Sequence, residues 1–139
     1  MKRAVFSFVA VMVVMAAMVV PPAQANGTVR GEVMEISVAE FPDLCPPGLE
    51  MNGTISIELF KSADPTPRIV TYDIFMETPL GPAVLNDGRL QMRPGRTRTA
   101  RIAFPVADDA QAGWYKFVIV ANCGVDRLVV GHEFFVTGK

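Results

Sequence analysis

The chain has 139 residues, 50% of them hydrophobic, and its 13 lysines and arginines against 14 aspartates and glutamates give a net charge of −1. That length is about one domain's worth. The slightly acidic balance argues against a nucleic-acid partner, because such partners reward basic surfaces that neutralise phosphates.

Residues 4–20 carry no charge and one polar side chain, Ser7; Lys2 and Arg3 precede them, and Pro21-Pro22 and Ala23-Gln24-Ala25 come after. A basic start, an apolar stretch and a small-x-small end are the three parts of a secretory signal peptide. A retained membrane anchor is the competing reading, but 17 apolar residues reach only the lower edge of a bilayer span. Residues 1–25 are therefore read as a leader cleaved after Ala25, and residues 26–139 as the mature domain. Removing 25 of the 139 residues leaves 114, enough to bury a core. Lys2 and Arg3 leave with the leader, so 11 basic side chains face 14 acidic ones and the mature net charge is −3.

Period-two patterning dominates residues 26–139. Residues 28–38 are β-rich but change phase near Val33-Met34, which predicts one strand with a bulge. Residues 54–59 place Ile55, Ile57 and Leu59 on one face, and residues 68–77 do the same with Val70, Tyr72, Ile74 and Met76. The connection 78–95 holds Asn86-Asp87-Gly88, expected to turn a short hairpin. Residues 98–106 align Ala100, Ile102, Phe104 and Val106. Residues 114–121 are apolar on both faces, and 127–137 form a last strand. About seven short strands with turn signals every ten residues or so predict an all-β, antiparallel sandwich, with a closed barrel as the alternative.

Cys45 and Cys123 are an even pair in a chain expected to be exported, which predicts one disulfide. It would close a loop from residue 45 through 123, contributing about 4–5 kcal/mol by chain-entropy arithmetic. Two buried free thiols are the alternative. Such a bond requires residues 41–51 to run back along the domain, since the first connection and the last hairpin of a sandwich ordinarily lie at opposite ends.

The phrase Asp108-Asp109-Ala110-Gln111-Ala112-Gly113-Trp114-Tyr115-Lys116-Phe117-Val118 resembles the corner before the penultimate strand of bacterial immunoglobulin-like and fibronectin type III-like modules. The upstream Arg93-Pro94-Gly95-Arg96-Thr97 resembles the Pro-Gly opening of the preceding strand. The resemblance implies an immunoglobulin-like sandwich in which the Tyr115 hydroxyl bonds back to the backbone at the corner. It covers about half of the mature chain and carries no activity with it.

Candidate chemistry is sparse. No catalytic motif stands out. His132, the only histidine, shares a face with Leu128, Val130, Phe134 and Val136, and a structural role is preferred because catalysis needs an adjacent nucleophile and an orienting partner. Met34, Met51, Met76 and Met92 could in principle offer thioethers to copper, but they are scattered and methionine is an ordinary core filler. Glu58 and Asp73, on strands expected to be neighbours, lie opposite the apolar faces and do not look like a catalytic pair. No cofactor and no metal site is expected.

Arg89, Arg93, Arg96, Arg98 and Arg101 form the one charge cluster. They are either a solvated rim protecting a strand edge or an interaction surface for an anionic or acidic partner. The expectation is a periplasmic or secreted, non-catalytic interaction or structural module that binds another envelope or extracellular protein. The alternative is a small-ligand or carbohydrate binder, for which Trp114 and Phe135 are the aromatic candidates.

Overall fold

The structure is a computed structural model that describes residues 12–16 and 25–138. Most of the expected leader, residues 1–25, lies outside the described residues. The described residues hold ten strands and no helix: β1 Met12–Ala16, β2 Ala25–Arg30, β3 Met34–Ala39, β4 Leu44–Cys45, β5 Glu50–Leu59, β6 Arg68–Thr78, β7 Gly81–Met92, β8 Thr97–Pro105, β9 Gly113–Cys123 and β10 Asp126–Val136. They form two five-stranded sheets, ordered β1-β8-β5-β3-β2 and β4-β10-β9-β6-β7. All pairings are antiparallel except β4 on β10. Two facing sheets bear out the expected all-β sandwich.

Alternation decides what is inside. Met34, Ile36 and Val38 of β3, Ile55, Ile57 and Leu59 of β5, and Ala100, Ile102 and Phe104 of β8 are buried from one sheet. Val70, Ile74 and Met76 of β6, with Tyr115, Phe117, Ile119 and Ala121 of β9, are buried from the other. Phe117 stacks on Phe104 across the two sheets, ring centroids 5.7 Å apart, and Tyr115 stacks on Phe134 at 5.6 Å. Each such fully buried side chain contributes about 1.5–3 kcal/mol of transfer free energy. Val118 and Val120, on the other face of β9, are also buried, as the two-sided apolar pattern of that strand predicted.

The stretch 28–38 is two strands joined by a tight turn, not one bulged strand: the amide of Gly31 donates to the Met34 carbonyl at 2.8 Å, and β2 folds back on β3. The phase change near Val33-Met34 therefore marks a reversal of direction. Likewise Asn86-Asp87-Gly88 is not a hairpin turn. Those residues lie within β7, paired with Ile74, Asp73 and Tyr72 beside a register shift. A Cβ at Gly88 would overlap the Tyr72 hydroxyl, so the glycine there makes room for a ring. The reversal occurs earlier, where the Thr78 hydroxyl donates to the Gly81 carbonyl at 2.6 Å and accepts the Leu80 amide at 3.1 Å.

The predicted disulfide is corrected. Cys45 is level with Val136 at one end of β10, and Cys123 is level with Asp126 at the other. Ten residues of strand separate those levels by about 34 Å, whereas a disulfide needs Cα atoms within about 7 Å. Residues 40–49 do cross to the second sheet, but at the far end from the last hairpin. The Phe135 amide donates to the Asp43 carbonyl at 2.8 Å and the Thr137 amide to the Cys45 carbonyl at 3.2 Å. Both thiols are free and buried, and burial pushes both above the ordinary cysteine range.

Candidate functional site

The two sides of the sandwich differ. On one side β10 packs against β2 and β3, and Asp126 fastens them by accepting the amides of Glu32, Val33 and Met34 at 2.9, 2.8 and 3.1 Å. On the other side β7 and β8 face each other across a cleft of about 810 Å³, within the ~300–1,000 Å³ common for ligand pockets.

Arg89, Arg93, Arg96 and Arg98 line that cleft, with Pro67, Leu90, Gln91, Met92 and Thr97. The turn Arg93-Pro94-Gly95-Arg96 sets the position of two of them. Its closing bond runs from the Arg96 amide to the Arg93 carbonyl at 3.2 Å, and Gly95 sits at φ 84°. Proline second and a left-handed glycine third is the chemistry of a type II turn. Leu59, buried at the end of β5, anchors it: the Gly95 amide donates to its carbonyl and its own amide donates to the Arg96 carbonyl, both at 2.9 Å. Arg89 extends from β7, and Arg98, half-buried, takes an inward-facing position on β8.

Among the described residues no carboxylate lines the cleft. Arg30 pairs with Glu35 and His132 lies beside Asp43 among those residues, and neither contact touches it. Guanidinium groups stay charged at any physiological pH. Two of them ~7 Å apart repel by about 0.6 kcal/mol in bulk water and about 2 kcal/mol near a protein surface. Arg89 also shares a neighbouring pocket with Asp73 and Asp87, but Arg93, Arg96 and Arg98 gathered in one cleft make a local positive potential there, and an anion would relieve it. Arg101 is not among them: it points outward from β8, exposed, level with Thr54 of β5 and with Val14 of β1.

The remaining candidates have structural positions. His132 is buried beneath the 40–49 segment, where Nε2 lies 2.9 Å from the Pro42 carbonyl and 3.4 Å from Asp43 Oδ1, and its ring stacks on Phe41 at 6.1 Å. It holds that crossover to β10. Met34, Met51, Met76 and Met92 are all core residues. Glu58 and Asp73 are not on neighbouring strands: β5 and β6 belong to different sheets, and the two carboxylates are exposed on opposite faces of the sandwich. Trp114 and Phe135 do meet. They are level with each other on β9 and β10, edge to face at 5.3 Å, with Trp114 64% exposed and the exposed Leu44 beside them on β4.

Sequence reasoning missed two features. Leu44 joins the aromatic pair only through a parallel pairing between residues ninety apart, for which no local pattern exists. The Asp126 clamp had one weak signal, an aspartate heading a strand whose inner face is otherwise apolar but for His132.

No protein-family model and no curated protein matches the chain. Solved structures do match in fold. A family 123 glycoside hydrolase from Clostridium perfringens is similar at a TM-score of 0.51 and 14% identity, over 76% of this chain and 27% of that one. A β-glucosidase from Listeria innocua is similar at 0.57 and 9% identity, over 76% and 16%. Spo0M, a sporulation control protein from Bacillus subtilis, is similar at 0.56 and 14% identity, over 78% and 51%. The chain thus spans about half or less of each of these proteins, and the likeness is one of fold.

Proposed function

We propose that the chain is an exported, non-catalytic interaction module, an immunoglobulin-like β-sandwich that binds another envelope or extracellular protein. Export rests on the leader-like segment 1–25. The immunoglobulin-like assignment is supported by the Tyr115 hydroxyl, which donates to the Gln111 carbonyl at 2.7 Å, the corner bond that the sequence resemblance implies. The observation that carries the functional reading is the cleft at the β7–β8 edge, which four arginines line with no acidic side chain among the described lining residues. An acidic partner surface is its electrostatic complement.

The test has two parts. Intact mass of the protein recovered from the exported fraction should correspond to a chain starting at Asn26. That mature chain should be retained on immobilised polyglutamate in a salt-dependent way, and the double variant Arg96→Glu, Arg98→Glu should elute at markedly lower salt. Equal retention of the two proteins would remove the cleft from the reading.

A second reading, a carbohydrate binder, is favoured by the Trp114–Phe135 pair and Leu44 on the outer face of the second sheet. Trp114 is the only tryptophan, so its fluorescence would report a sugar stacking there. No change across a panel of neutral and acidic oligosaccharides would set this reading aside.

A further inference from the structure

We infer that the arginine cleft takes an extended acidic peptide anchored by one apolar side chain, an inference that rests on the interaction-module reading and specifies its partner. The lining divides by chemistry. Arg93, Arg96 and Arg98 supply the charge, with Arg89 at the exposed face of β7, while Leu90 and Pro67, over the buried Met92, supply an apolar surface within the same cleft. Met92 is 2% exposed and Leu90 packs on the core cluster, so that surface is continuous with the sandwich interior and held in place by it. Gln91 and Thr97 add uncharged side chains able to donate to and accept from peptide groups.

This combination selects among anions. A free phosphate needs one or two guanidinium forks and gains nothing from an apolar surface. An acidic glycan or a single-stranded nucleic acid would profit from aromatic plates to stack on, and among the described residues no aromatic side chain lines the cleft. A peptide carrying carboxylates around a leucine- or methionine-sized residue uses all three classes of lining group at once. The carboxylates take bidentate bonds from the arginines, the apolar residue leaves water against Leu90, and the backbone amides meet Gln91 and Thr97. Arg96 closes the turn and Arg98 is the second residue of β8, so the two stand two residues apart where the chain enters the strand, about 6.6–6.8 Å for extended backbone. Alternate residues of an extended peptide have that same spacing, so two carboxylates in alternation face two arginines in alternation.

The experiment measures fluorescence anisotropy of labelled peptides with the mature chain at 50 and 200 mM salt. One peptide has glutamates on both sides of a single leucine, and a second has glycine in place of the leucine. A sulfated oligosaccharide of equal charge and inorganic phosphate serve as competitors. The leucine peptide should bind about tenfold more tightly than the glycine peptide, the equivalent of 1.4 kcal/mol. Leu90→Ser should erase that advantage without abolishing binding, and Arg96→Glu with Arg98→Glu should weaken both peptides together. Because the leucine-to-glycine change is made in the peptide, the comparison does not depend on any variant folding. Equal affinity of the two peptides, or displacement by the oligosaccharide at lower concentration than by unlabelled leucine peptide, overturns the inference while leaving an anion-binding cleft. If neither peptide nor either competitor binds, the interaction-module reading of the cleft fails as well.

Discussion

The carboxylate of Asp126 occupies the space where a side chain at residue 31 would begin. A Cβ built on Gly31 would overlap the Asp126 carboxyl group, and the bare glycine lets the β2–β3 turn settle around that carboxylate so that three consecutive amides, of Glu32, Val33 and Met34, reach it. The two residues stand 95 positions apart, Gly31 in the turn between two strands of one sheet and Asp126 at the head of a strand of the other. Burial works against the charge on Asp126, and the three amide donors outweigh it, so the carboxyl is held below the ordinary aspartate range.

Asp126→Asn should therefore lower unfolding stability by about 2–3 kcal/mol, the worth of charge-assisted bonds lost or weakened, and Gly31→Ala should act on the same joint. A pKa depressed in the folded state means the contribution is full above the unfolded aspartate value, about 3.9, and is lost as pH falls through the folded value beneath it. Denaturant melts between pH 7 and pH 2 should show the wild-type advantage over Asp126→Asn constant down to about pH 4 and shrinking below. An advantage that grew with acid would contradict the clamp.

The thiols should be free. Cys45 and Cys123 are 2% and 3% exposed and shifted above the usual thiol range by burial, so an alkylating reagent should modify neither in the native protein near pH 7. After denaturation without reductant both should react, adding two adducts to the intact mass. A denatured chain that resists alkylation until reduced would mean that the thiols are bonded.

Tyr115→Phe keeps the ring that stacks on Phe134 and removes the hydroxyl that donates to Gln111. Stability should fall by about 0.5–1.5 kcal/mol, the net value of one hydrogen bond, and polyglutamate retention should be unchanged because the corner is remote from the arginines. A loss of retention would tie the corner to the cleft.

Residues 12–16 pair with Thr99, Ala100, Arg101, Ile102 and Ala103 and so cover the outer edge of β8. A chain starting at Asn26 lacks that strand. Amide exchange measured on the two lengths should show faster exchange at alternate positions of residues 99–103 in the shorter one, because alternate backbone groups of an edge strand face solvent. Both lengths should remain monomeric, since Arg101 stands on that edge and charged edge residues oppose pairing between copies. Dimers of the shorter chain that Arg101→Ala leaves unchanged would remove that role.

Much of the fold was legible because a half-buried strand writes its orientation locally. Ile55, Ile57 and Leu59 alternate with polar residues, and two residues of context suffice to say which face is inside. Turns were less legible. Asn86-Asp87-Gly88 carries the composition of a hairpin loop, yet its glycine answers to Tyr72 on the neighbouring strand, a contact the local sequence does not encode. The arginine cluster was visible as a charge run, but not that four members turn into one cleft while Arg101 turns away.

The sequence alone pointed to an all-β sandwich, with a closed barrel as the alternative, and it located many of the inward-facing residues and one concentration of positive charge. These features arise from side-chain alternation and composition, properties of neighbours along the chain. The tertiary structure alone decided that Cys45 and Cys123 stand at opposite ends of β10, that Glu58 and Asp73 face away from each other, and that Asp126 reaches the β2–β3 turn. Each depends on which strands become neighbours across some eighty to ninety residues or from one sheet to the other. That choice is made by the packing of whole faces against each other, and no short stretch of sequence carries it.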